Sequence, residues 1–178
     1  MEWYNEAPHW SVDGDTITVT SGPRTDFWRK THYGFIRDNG HFYFQEVSGD
    51  FVVEVEVSGQ YRDLYDQAGV MVRADESNWL KCGIEFVEGV QHVSAVATHD
   101  LSAWSVVPLP ENPPSICLRV TRRSEALEVE YSLDGERYSM VRLTYLEAEQ
   151  PLKVGVMCAS PEGEGFTTIF EDFTIRPL

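Results

Sequence analysis

Basic residues are scarce in this chain. It has 14 lysines and arginines against 29 aspartates and glutamates, a formal net charge of -15. Such a field repels phosphate backbones and anionic lipid surfaces, so neither nucleic acid nor membrane is expected as a partner. Cysteine is sparse as well. Cys82, Cys117 and Cys158 are odd in number and lie in no metal-ligand spacing, which argues against a disulfide framework or a cysteine-built metal site. Each falls within an apolar strand pattern and reads as a small buried hydrophobe. No apolar run reaches the roughly 18 residues that suggest a membrane span, and the acidic opening MEWYNEAPHW does not resemble an export signal. Reduced thiols without an export signal lead to the expectation of a cytoplasmic protein.

Two further absences narrow the chemistry. There is no amphipathic helix of ordinary length and no internal repeat. Gly163-Glu-Gly165, the nearest approach to a glycine-rich loop, is acidic and makes a poor anion site. Asp13-Gly-Asp15 and Asp50 lack the spacing of a calcium loop and are better explained by turn chemistry. No metal and no cofactor are expected.

What the chain does contain is a succession of short alternating segments divided by Gly, Pro, Asn and Asp. Such a pattern without helices argues for an antiparallel β-sandwich or barrel, and 178 residues suit one domain spanning the whole chain. Residues Trp3 to Trp10 read as an irregular entry, and Asp100 to Trp104 as a loop. Pro108 to Pro114 reads as a rigid connection, and one helical turn is expected over Thr144 to Gln150, before Pro151.

The stretch from Asp66 to Thr98 organises the rest. Val87-Glu88-Gly89-Val90 is a two-residue hairpin signal, and the polar connection from Ala74 to Asn78 has a common hairpin length. Pairing three strands through these turns predicts a register: Gln67–Glu85–His92, Gly69–Gly83–Ser94, Met71–Lys81–Val96 and Arg73–Trp79–Thr98. Side chains alternate between faces of a strand. Ala68, Val70, Val72, Leu80, Cys82, Ile84, Phe86, Val93, Ala95 and Ala97 must therefore face a core. The four predicted rows share the opposite face. Glycine within a strand often marks a bulge or the close approach of a ligand or another backbone, so the Gly69–Gly83–Ser94 row suggests a shallow floor with polar walls.

The candidate chemistry gathers there. Glu85 with His92 directly opposite is the best acid–base pair, although cross-strand pairs of this kind are also simply stabilising. Glu54 with Glu56, and Glu128 with Glu130, read as solvated strand faces. Thr25 to Gly34 (TDFWRKTHYG) has an aromatic and charged density unlike the rest of the chain. Trp28 and Trp104 offer stacking surfaces for a sugar ring, while Phe27 reads as core. Asp26, Arg29, Gln67, Arg73, Lys81 and Ser94 offer hydrogen bonds around them.

These residues carry a resemblance. TDFWRKTHYGF (25–35), DNGHF (38–42), YDQAGVMVR (65–73), WLKCGIE (79–85) and SAWS (102–105) are similar to segments of an uncharacterised domain family named after a yeast regulation-of-enolase protein. Two positions depart from its pattern: Ala103 stands where an aspartate is usual, and Cys82 where alanine is typical. The first removes any role for that loop that needs a carboxylate. The resemblance implies a concanavalin A-like jelly roll of two packed sheets, one of them concave, and implies no reaction.

The expectation is thus an all-β, antiparallel two-sheet jelly-roll sandwich. It would bind a carbohydrate or similar small polar ligand on its concave face without catalysis. The alternatives are a glycan-active enzyme using Glu85, and a regulatory protein docking on a metabolic enzyme.

Overall fold

The computed structural model describes residues 1–147 and 151–178. Sixteen strands follow in chain order among them: β1 (Glu2–Tyr4), β2 (His9–Asp13), β3 (Thr16–Thr20), β4 (Phe27–Arg29), β5 (Ile36–Asp38), β6 (His41–Val47), β7 (Phe51–Gly59) and β8 (Gln67–Arg73). Then come β9 (Asn78–Val87), β10 (Val90–His99), β11 (Leu101–Leu109), β12 (Ile116–Arg123), β13 (Ala126–Ser132), β14 (Ser139–Tyr145), β15 (Leu152–Ala159) and β16 (Thr167–Pro177). No helix occurs among the described residues. Two seven-stranded antiparallel sheets run β1-β6-β15-β8-β9-β10-β11 and β14-β13-β12-β7-β16-β3-β2.

The sheets enclose one large apolar core. Ala68, Val70 and Val72 of β8, Leu80, Cys82 and Ile84 of β9, and Val93, Ala95 and Ala97 of β10 meet Val53, Val55, Leu118, Val120 and Phe170 of the facing sheet. Fully burying the Val, Leu, Ile and Phe side chains among them stabilises by about 1.5–3 kcal/mol each, before the entropy of ordering them is subtracted. The predicted register holds at every pair, from Gln67 opposite Glu85 and Glu85 opposite His92 to Trp79 opposite Thr98. Parity is fixed because a one-residue slip would wet this whole apolar set.

Three local expectations are corrected. The entry is not irregular: β1 and β2 add edge strands to opposite sheets, and the rings of Trp3, Trp10 and Tyr43 pack edge-on and tilted against one another there. The segment 101–109 is strand, not loop and rigid connection. It pairs with β10 on one side only, and an edge strand tolerates the missing N–H of Pro108. Thr144 and Tyr145 end strand β14 rather than start a helical turn, and the rest of that expectation extends outside the described residues.

The short hairpin β4–β5 forms a third layer. Its side chains lie on the face of the first sheet turned away from the main core. Phe27 and Trp28 pack there against Phe42, Phe44, Met71, Trp79, Val96 and Met157 as a second apolar cluster. Gly40 makes room for this cover, because a Cβ there would stand 2.4 Å from the Phe27 ring. The outward face of the first sheet is therefore a roofed surface, not an open floor.

Candidate functional site: a cleft where the cover ends

The cover is tied to the sheet by buried polar contacts. Arg73 donates to both carboxylate oxygens of Asp38, at 2.6 and 2.8 Å, and its guanidinium lies over the Tyr4 ring. Tyr4 donates its hydroxyl to the same carboxylate at 2.7 Å. At the other end Lys81 donates to the Phe27 carbonyl at 2.8 Å and to Gln67 Oε1, with Asp26 Oδ1 at 3.5 Å. Gln67 in turn donates to Asp26 Oδ1 and to the Tyr65 carbonyl. Lysine and arginine this deeply buried are rare unless paired, and each is paired here.

Beyond Lys81 the roof stops, and a small cleft of about 60 Å3 opens to solvent. Its floor is Lys81, Gln67, Glu85 and Asp26, while its walls are Trp28, Tyr33, Phe35, Tyr65 and Trp104. The rings brace one another. Trp28 and Phe35 both meet Tyr33, Tyr65 meets Trp104 edge-on, and the Tyr33 and Tyr65 hydroxyls lie 3.0 Å apart. Arg37 lies over Phe35 at the rim, with Glu162 at 3.9 Å.

Glu85 is the distinctive group. It is only 8% exposed and accepts a 2.7 Å hydrogen bond from Ser94, which itself accepts one from the Trp104 indole at 3.0 Å. Burial pushes its carboxyl above the usual range, and this outweighs the opposing pull of Lys81 and Ser94. The shift marks a group whose charged form is costly in these surroundings.

Of the residues singled out in the sequence, Asp26, Trp28, Gln67, Lys81, Glu85 and Trp104 line the cleft. Ser94 stands behind Glu85 and fixes its orientation. Three others are elsewhere. Arg73 is spent on Asp38, and Arg29 pairs with Asp100 at 2.8 Å. His92 turns its ring to the carbonyl of Val90 on its own strand, so the Glu85–His92 acid–base pair does not form despite their backbone pairing.

The glycine row also has a different origin. A Cβ on Gly83 would lie 2.0 Å from the Ala68 carbonyl oxygen, and one on Gly69 would lie 1.9 Å from that of Cys82. The two strands approach too closely for any side chain, so the glycines serve the ladder.

Sequence reasoning missed Tyr33, Phe35, Arg37, Tyr65, Pro161 and Glu162. A signal for Tyr33 and Phe35 existed in the aromatic run after Trp28. Nothing local marked Pro161 and Glu162, which reach the rim from the far end of the chain.

Fold and site together define a β-sandwich of the concanavalin A-like jelly-roll type, with one sheet roofed on its outer face and an aromatic-walled cleft. The chain belongs to the family described as "Protein of unknown function (DUF1349)", matched over residues 3–178. It is similar to "Regulation of enolase protein 1" of Saccharomyces cerevisiae, at 37% identity over 97% of this chain and 87% of that one. A crystal structure titled as a functionally unknown Saccharomyces cerevisiae protein matches it with a TM-score of 0.95 and 36% identity, over 99% of this chain and 96% of that one. The carbohydrate-binding module CBM66 of Bacillus subtilis shares the fold at a TM-score of 0.63 and 10% identity, covering 98% of this chain and 94% of that module.

Proposed function

We propose that the protein is a non-catalytic binder of a carbohydrate or similar polyol-rich small ligand, taken up in the cleft between Trp104 and the edge of the β4–β5 cover. The observation that carries this reading is the cleft's composition, in which aromatic faces surround a floor of pre-oriented polar groups. Ring faces suit the apolar faces of a pyranose, and the polar groups suit its hydroxyls. The CBM66 module of like fold binds carbohydrate by its title, which lends support by analogy of fold alone.

Catalysis is the weaker reading. Glu85 has the raised pKa of a general acid, but the expected His92 partner faces away, and Asp26 is tied into the Lys81–Gln67 network.

The test is titration with a panel of mono- and oligosaccharides by calorimetry, on the parent and on Trp104→Ala. Binding by the parent that falls at least tenfold in the variant is the expected result. A panel without a single binder at millimolar concentration would refute the reading. Turnover of a bound glycan that disappears in Glu85→Gln would replace it with the enzymatic one.

A further inference from the structure

The floor of the cleft is unbalanced between donors and acceptors. Lys81 donates to the Phe27 carbonyl and to Gln67 Oε1, and is ion-paired with Asp26 Oδ1 at 3.5 Å. The Gln67 amide uses its two on Asp26 and the Tyr65 carbonyl. The indole N–H groups of Trp28 and Trp104 are committed to the Thr31 carbonyl and to Ser94. On the floor, then, the Gln67 amide and both indoles are committed within the protein, and the Lys81 charge is met by Asp26.

Acceptors are left over. Glu85 Oε2 takes the Ser94 hydroxyl, and Asp26 Oδ1 takes the Phe27 and Gln67 N–H groups. Among the described residues neither Glu85 Oε1 nor Asp26 Oδ2 accepts a hydrogen bond, and neither is among the side-chain atoms sealed from solvent without a partner. Both oxygens are therefore available to an occupant of the cleft. Charge points the same way: Lys81 is ion-paired with Asp26, whereas the Glu85 carboxyl makes no ion pair among the described residues. Aromatic faces around an unmatched carboxyl are the environment that attracts a cation, through ring quadrupoles and charge together.

Resting on the carbohydrate reading above, we infer that the ligand is a sugar or polyol bearing a basic amine, its ammonium placed between Glu85 Oε1 and the ring faces of Trp104 and Tyr65. Neutral counterparts bind more weakly, because a hydroxyl donates to the same oxygen without the charge. Acidic counterparts bind least, because their carboxylate meets the Glu85 carboxyl where the ammonium would sit.

The test is a matched series: glucose, glucosamine and glucuronate, the same three in the galacto form, and tetramethylammonium and acetate as sugar-free probes. Each is titrated by calorimetry into the parent and into Glu85→Gln, whose near-UV circular dichroism confirms the fold. The expected order is amine over neutral over acid, with an amine preference of about tenfold in the parent that largely vanishes in Glu85→Gln. Sugars that bind with no amine preference, or uronates that bind best, overturn the inference and leave the carbohydrate reading standing. Tetramethylammonium binding without any sugar does the reverse: it overturns the carbohydrate reading while the preference for a cation survives. Failure of every probe at tens of millimolar overturns both.

Discussion

Replacing Gly83 by alanine separates a ligand floor from a strand contact. The new Cβ would stand 2.0 Å from the Ala68 carbonyl oxygen and 2.7 Å from the Gly69 Cα, roughly 1.4 Å short of ordinary contact with that oxygen. Both obstacles are backbone of a paired strand, so no side-chain rotation relieves them. The β8–β9 ladder must widen beyond its normal spacing of about 4.8 Å. Losing the hydrogen bonds on either side of the pair costs about 0.5–1.5 kcal/mol each, and overpacking adds about 1–3 kcal/mol. A total loss of about 2–6 kcal/mol translates, for a chain of this size, into a fall in Tm of roughly 4–24 °C. Thermal and urea unfolding of the purified variant measure it. A Gly83→Ala protein that melts within about 2 °C of the parent, yet binds its ligand poorly, would return the glycine row to the ligand and refute the reasoning.

Other outcomes follow from the same geometry. Asp38→Ala strands the buried Arg73 guanidinium without a carboxylate and should cost about 3–5 kcal/mol in urea unfolding, much of it recovered in the Asp38→Ala/Arg73→Met double variant. Glu85 has a folded pKa raised above its unfolded value, so the folded state binds the extra proton and stability falls as pH rises from about 4.5 through the folded pKa. Glu85→Gln should accordingly melt at or above the parent at pH 7, with the gap closing as the pH is lowered toward 4.5; a gap that widens on acidification would contradict this. Burial pushes the Cys82 thiol up to about 12 and the Cys158 thiol higher still, whereas Cys117 is only partly buried. Native protein should therefore release one thiol equivalent to a thiol reagent, slowly, and the other two only on unfolding, as mass spectrometry of the labelled chain would report.

The sequence is most legible where neighbouring segments decide the structure. Two short turns and strict alternation settle the register of β8, β9 and β10, because a slip would expose Val70, Leu80 and Val93 together. It is least legible where a third layer intervenes. Arg73 and Lys81 fall on the outward face by parity, and an outward charge is ordinarily a wet one. What buries them is the β4–β5 hairpin, whose strands are three residues long and carry no alternation of their own. The pairing of Arg73 with Asp38 spans 35 positions, and no local spacing announces it. His92 fails for another reason. Cross-strand pairing places two backbones side by side, while the rotamer that decides whether the rings and carboxyls meet is set by nearer partners, here the Val90 carbonyl and Ser94.

This division bears on which residues can report on function at all. Asp26, Gln67 and Lys81 face the cleft, but the same atoms fasten the cover to the sheet. Removing any of them loosens the roof over Phe27 and Trp28 and lowers binding whether or not a ligand touches the lost group. Trp104 is different. At 39% exposure, and on an edge strand, it can be truncated with little cost to the core. Glu85→Gln likewise keeps an acceptor for the Ser94 hydroxyl while removing the charge. A loss of affinity confined to Trp104 and Glu85 variants of unchanged fold is evidence about recognition, whereas a loss seen only in Lys81 variants reports that the cover has moved. The ratio of the two effects, measured against the same ligand, therefore distinguishes a binding cleft from a seam left where one layer ends.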